Sequence, residues 1–144
     1  MKRFSHLRRK LQQGSMLLEA VFGILIFSLG ILALVGLQAT STKQAEGGKY
    51  RTDAALLANQ LIGRMWITGR TASNLQTLYN SATNGTGFQT WRTEVQATLP
   101  GADTTPPTVA VTATGQVTIT VFWLSPSEKP GTTAHRYVVV TQIV

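Results

Sequence analysis

The sequence predicts an α+β fold: one long N-terminal helix whose second half packs against a small antiparallel sheet of three or four strands. No proline interrupts the chain from Ser15 to Trp66, and that stretch is apolar up to Leu37. Beyond it, apolar residues recur at spacings of three and four, the period of a half-buried helix. The last third of the chain alternates apolar and polar residues with period two and is punctuated by Gly and Pro, the mark of strands and turns.

The helix comes first. Ser15–Leu37 is 23 residues with a single charge, Glu19. A bilayer core needs ~20 apolar residues in helical form, so this run can span one. A carboxylate inside such a run is costly, roughly 2.5–3.5 kcal/mol at the membrane centre and less toward an end, so an acid kept there marks a functional site. Residues 1–14 precede the run and are read as disordered or interfacial. Lys2, Arg3, Arg8, Arg9 and Lys10 lie in this leader and carry five of the chain's 13 basic residues. Such flanking cations stay on the cytoplasmic side, which leaves the residues after Leu37 on the other side. Beyond Gly14, eight basic residues face six acidic ones. The excess charge of +7 is therefore mostly the leader's, and a nucleic-acid partner is disfavoured. An ordinary secretory signal has its small-residue cleavage site after the apolar stretch, whereas here the glycine lies before it, so a cut there would leave the apolar helix on the mature chain. A simple uncleaved anchor remains as an alternative, but it leaves Glu19 unexplained.

The segments are taken as leader 1–14, membrane or assembly helix 15–38, amphipathic half-helix 39–69 and globular head 70–144. Gly23, Gly30 and Gly36 interrupt the apolar half; glycine is tolerated in membrane helices and permits close packing. Gly36 is a candidate point for stretching or kinking on assembly. Gly47-Gly48 is a soft spot where the helix can fray. Ala54, Leu57, Ala58, Leu61 and Met65 form the stripe that carries the head, with Asp53, Asn59, Gln60 and Arg64 off it. Trp66 and Ile67 extend the apolar side, and Gly69 is placed as the C-cap.

Residues 70–87 read as a loop with one helical turn around Leu75, Leu78 and Tyr79. Asn84-Gly85-Thr86 fits a glycosylation acceptor by pattern, but a plain turn is the preferred reading. Phe88, Trp91, Val95 and Leu99 describe a short amphipathic helix ended by Pro100-Gly101, and a Pro/Thr linker follows. Three strands complete the chain, Thr108–Ala113, Gln116–Leu124 and Arg136–Val144, the first two joined by a turn at Thr114-Gly115. Val117, Ile119, Val121 and Trp123 share one face of the second strand. Tyr137, Val139, Thr141 and Ile143 share one face of the third.

The inventory of reactive groups is short. His135 has no evident partners for a metal site, which needs several converging ligands, and is read as solvated. Glu46, Asp53, Glu94, Asp103 and Glu128 are read the same way, since none are paired at a spacing suited to acid–base work. No serine sits in a nucleophile-elbow pattern. No catalytic residue, metal or cofactor is expected. Arg51, Arg64, Arg70, Arg92 and Arg136 are the only candidates for a basic stripe on the head, and they are scattered.

The basic leader, Gly14, Ser15, Glu19 and the apolar helix behind them together resemble the N-terminus of type IV prepilins and of type II secretion pseudopilins. The resemblance covers about the first 40 residues. It implies a cut by prepilin peptidase between Gly14 and Ser15, methylation of the new amine on Ser15, and a long helix carrying a globular head. Serine stands where many family members have phenylalanine, and Gly36 stands where many major pilins have proline. There is no cysteine, whereas many major pilins close a C-terminal loop with a disulfide. Residues 55–61 (Ala-Leu-Leu-Ala-Asn-Gln-Leu) and the segment from Trp91 to Leu99-Pro100-Gly101 are similar to the PilV-type minor pilins, or type IV pilus modification proteins. The implied partners are prepilin peptidase, other major and minor pilins, the inner-membrane assembly platform and the lipid bilayer. In the family's assembly scheme Glu19 meets the terminal amine of a neighbouring subunit. The implied role is to prime or cap a pilus that serves adhesion and twitching motility. A type II secretion pseudopilin and, in another class, a DNA-binding pilin for uptake are the alternatives.

Overall fold

The computed structural model describes residues 5–68 and 71–144, with side-chain surroundings from Ser15 onward. The expected C-cap Gly69, Arg70 and the side chains of residues 1–14, His6 among them, lie outside that description. The elements are α1 (Ser5–Thr68), α2 (Ala72–Tyr79), α3 (Thr86–Thr98), β1 (Thr108–Val111), β2 (Gln116–Trp123) and β3 (His135–Gln142). Two compact units divide the chain, Met1–Thr42 and Lys43–Val144.

The first unit is the leading part of α1. Residues 5–14, expected to be disordered or interfacial, are already helical. The sequence from Ser5 to Gln13 holds no Gly or Pro, and its Leu, Arg, Lys and Gln are good helix formers, which explains the earlier start. α1 continues without a break through Gly30 and Gly36. Ser28 Oγ donates to the Ile24 carbonyl at 2.7 Å and Thr40 Oγ1 to the Gly36 carbonyl at 3.1 Å. Both hydroxyls are thereby satisfied within the helix, as an apolar setting requires.

In the second unit the expected stripe is the buried face of α1: Ala54, Leu57, Ala58, Leu61 and Met65 are all at or below 6% exposure. Gly47 and Gly48 do not fray the helix. Trp66 and Ile67 do not extend the apolar side but are exposed, at 54% and 86%. At 100° per residue they rotate away from the face that Met65 ends.

The segment 70–87 departs from expectation. It holds the eight-residue helix α2, capped by Thr71, whose side chain accepts from the Asn74 amide at 3.3 Å. Thr71 is an N-cap of the ordinary kind, masked in the sequence by the polar residues around it. Leu75 and Tyr79 are its buried positions, and the Tyr79 hydroxyl donates to Thr68 Oγ1 at 3.0 Å. Asn84-Gly85 is a turn into α3. Asn84 has φ of 49°, and a Cβ on Gly85 would stand 2.3 Å from the carbonyl oxygens of both Thr77 and Leu78. Only glycine fits so close to the end of α2.

α3 buries Phe88, Trp91 and Val95, with Leu99 just beyond it, as the spacing predicts. Trp91 is fully buried and its indole N–H donates to the Leu57 carbonyl of α1 at 2.9 Å. Arg64 of α1 grips Glu94 of α3 with two hydrogen bonds, 3.0 and 2.8 Å. The carboxylates are thus not uniformly solvated. Glu94 has this partner, and Glu46 accepts from Ser125 Oγ at 3.2 Å and Ser127 Oγ at 2.9 Å.

The sheet is three-stranded and antiparallel in the order β1-β2-β3. Val109 pairs with Ile119, and Ile119 with Val139. Val109, Val111, Val117, Ile119, Val121 and Trp123 are buried, and they form one core cluster with the α1 stripe and the apolar faces of α2 and α3. This is the expected α+β layout. The β1–β2 turn uses Gly115 at φ 78°, a left-handed position suited to glycine. β3 is only half covered: Tyr137, Val139 and Thr141 are partly buried while Val138 and Val140 are exposed.

Candidate functional site

Two places concentrate features that the packing of the fold does not require. The first is the start of the apolar run. Ser15 and Glu19 lie in α1, and both are exposed. Gly14 precedes them in the same helix. Four residues of helix separate Ser15 from Glu19, a rise of ~6 Å on one face. From Met16 to Leu37, the large apolar side chains are 46–72% exposed. The protein's own core covers none of this surface, and α1 is long and apolar enough to cross a membrane.

The second place is a cleft of about 460 Å³ in the Lys43–Val144 unit. Lys43, Gly47 and Arg51 stand at i, i+4 and i+8 and so share one face of α1. A Cβ added at Gly47 or Gly48 would meet nothing within 4 Å, so the absent side chains leave that wall open. The facing wall comes from the end of β2, the loop after it and the start of β3. The register Trp123↔His135 and Phe122↔Arg136 brings His135 and Arg136 into the lining.

The polar groups of the cleft divide into engaged and unengaged. His135 stacks on Trp123 with ring centroids 5.7 Å apart, and its Nε2 lies 2.5 Å from Glu128 Oε1. The other oxygen of Glu128 is closed to solvent and has no hydrogen-bond partner. His135 is therefore half-exposed but not the isolated solvated residue that the sequence suggests. Glu46, beside the cleft, is held by Ser125 and Ser127. By contrast Lys43, Arg51 and Arg136 make no ion pair among the described residues.

This cleft was not legible in advance. The sequence offers Gly47-Gly48 as a weak point and the arginines as scattered. The helical spacing of Lys43, Gly47 and Arg51 was the available signal, but nothing in the sequence brings Arg136 opposite to them. The other candidates for a basic stripe are dispersed: Arg64 is taken by Glu94, and Arg92 lies over the Phe88 ring at 5.8 Å.

No family model matches this chain, and neither a curated protein nor a solved structure matches it. The functional reading therefore rests on the residues themselves.

Proposed function

We propose that this chain is a minor type IV pilin, made as a prepilin, cut between Gly14 and Ser15, N-methylated on Ser15, and assembled through α1 to prime or cap a pilus. The observation that carries the reading is the pairing of Glu19 with a bare apolar helix, directly behind a basic leader that ends in Gly14. After cleavage the Ser15 amine is cationic. A cation and a carboxylate stranded in an apolar bundle are each costly alone, and removing one partner of a buried pair leaves a penalty of about 3–5 kcal/mol. Pairing Glu19 with the amine of a neighbouring subunit offsets that cost and fixes axial register. The exposed apolar surface of Met16–Leu37 has two successive covers in this scheme, lipid before assembly and other pilin helices after it. The head is then periplasmic and the leader cytoplasmic.

Mass spectrometry of the membrane form is the test. The expected mature N-terminus is methylated Ser15, and Glu19→Ala should be processed yet excluded from fibres. A protein that still begins at Met1 in cells with active prepilin peptidase refutes the proposal. Entry of Glu19→Ala into fibres at the wild-type level refutes the pairing.

A further inference from the structure

We propose that the free edge of β3 takes up an extended strand of another protein chain, one that alternates apolar and polar residues and carries an acid near its C-terminal end. This goes beyond the pilin reading and does not depend on it.

The backbone decides which edge is open. β3 pairs with β2 in a continuous register, and one step beyond Gln116↔Gln142 the Ile143 amide donates to the Gly115 carbonyl at 3.2 Å. In an antiparallel pair, residues that exchange hydrogen bonds alternate with residues that do not. Gly115 and Ile143 are of the first kind, so Tyr137, Val139 and Thr141 turn their N–H and C=O groups to β2. Arg136, Val138, Val140 and Gln142 turn theirs outward, and none of those backbone groups has a partner among the described residues. The opposite edge of the sheet differs. On β1 the same alternation, fixed by the Thr112 amide on the Gln116 carbonyl, turns Val109 and Val111 outward. There Ser81 covers the Val109 carbonyl with its amide and its hydroxyl, each at 2.9 Å, and Gln76 Nε2 covers that of Val111 at 3.2 Å.

A sheet edge that is to stay unpaired is blunted by proline, lysine, an inward charge or a bulge. From Tyr137 to Val144 the chain has no proline, no glycine and no charged side chain, and the register with β2 runs without a bulge. Val138 and Val140 are exposed on the outer face, while Tyr137 and Val139 are half-buried at the rim of the core. A strand laid along β3 satisfies the outward backbone groups and covers apolar surface on both faces. A row of alternating N–H and C=O groups at strand spacing is matched by another strand. Charge sets its polarity. His135–Val144 contains Arg136 and no acid, and Arg136 makes no ion pair among the described residues. An acid opposite Arg136 is the favoured cross-strand pair, and antiparallel addition places it toward the C-terminal end of the incoming strand.

The test uses the full chain in a non-ionic detergent and a short synthetic peptide in which valines alternate with threonines and one glutamate near the C-terminal end. With its valines beside Tyr137 and Val139, the peptide turns the amides of its threonines and glutamate to β3. N-methylation of the valines removes only amides that face away. N-methylation of the threonines and glutamate removes the ladder. Fluorescence anisotropy of the labelled peptide reads binding. The valine-methylated peptide should bind saturably and the other at least tenfold more weakly. Val140→Pro removes one outward amide and breaks no bond to β2; it should give a similar loss. Arg136→Glu should weaken binding about threefold, and a peptide with lysine in place of glutamate should restore it. Ile67→Ser, which removes an exposed apolar side chain of α1, should leave binding unchanged. Circular dichroism checks that each variant is folded, and the two methylated peptides decide the question even where Val140→Pro fails to fold. Absence of saturable binding, equal binding of the two methylated peptides, or an Ile67→Ser loss equal to that of Val140→Pro overturns the proposal. Unchanged affinity in Arg136→Glu overturns the acid. Dimerisation of the chain in sedimentation, abolished by Val140→Pro, gives the edge to a second copy and overturns the foreign strand.

Discussion

Trp91→Phe tests how the head is fastened to α1. The indole of Trp91 is fully buried, and its N–H reaches across to the Leu57 carbonyl at 2.9 Å. Phenylalanine keeps a ring in the site but removes the donor and part of the volume. Losing one neutral hydrogen bond costs about 1 kcal/mol; the acceptor is a helix carbonyl still used within α1, so no fully orphaned group adds to that. The smaller ring leaves roughly 40 Å³ unfilled, worth about 1 kcal/mol at ~24 cal/mol per Å³, with a further fraction for the lost apolar transfer. The sum is about 2–3 kcal/mol. With a urea slope near 2 kcal/mol/M for a unit of this size, the midpoint should fall by about 1–1.5 M. The assay is a urea titration of the full chain in detergent, followed by tryptophan emission, with buried Trp123 retained as reporter. Trp66→Phe is the matched control, since Trp66 is 54% exposed and should move the midpoint little. Equal shifts for the two variants, or a Trp91→Phe shift under about 0.3 M, would refute the view that Trp91 anchors α3 to α1.

The remaining predictions concern joints between elements. Gly85→Ala must push a Cβ away from two carbonyl oxygens 2.3 Å off, so it should destabilise the head by about 2 kcal/mol or more, seen as a thermal midpoint lower by ~8 °C or more. A midpoint within 2 °C of wild type would mean that the turn can relax freely. Glu46→Ala strips the acceptor from Ser125, which is buried, and from Ser127. It should cost about 1–2 kcal/mol and raise amide exchange in the loop around Ser125–Glu128, and unchanged exchange there would show that the hydroxyls find other partners.

Much of the fold was readable because its signals are periodic and local. Ala54 to Met65 at spacings of three and four, Phe88 to Leu99, and the alternation from Val117 to Trp123 each name a buried face without reference to anything distant. α2 was read as a single turn around Leu75, Leu78 and Tyr79 rather than as Ala72–Tyr79, because an eight-residue helix holds too few periods to stand out from a polar segment. Trp66 and Ile67 were misplaced because composition was weighed over helical phase. Glu94 was read as solvated because its partner Arg64 belongs to another helix, and His135 because the loop that folds Glu128 back onto it has no regular period; both pairings are a matter of packing.

The amino-acid order alone determined that a basic N-terminal segment is followed by an apolar helix holding a single acid, since that depends only on which residues are consecutive and on what water and lipid tolerate. Tertiary structure alone decided that Lys43 and Arg51 share a cleft with Arg136. Those groups are far apart along the chain, and the antiparallel register of β3 on β2 is what brings Arg136 into the lining of the cleft.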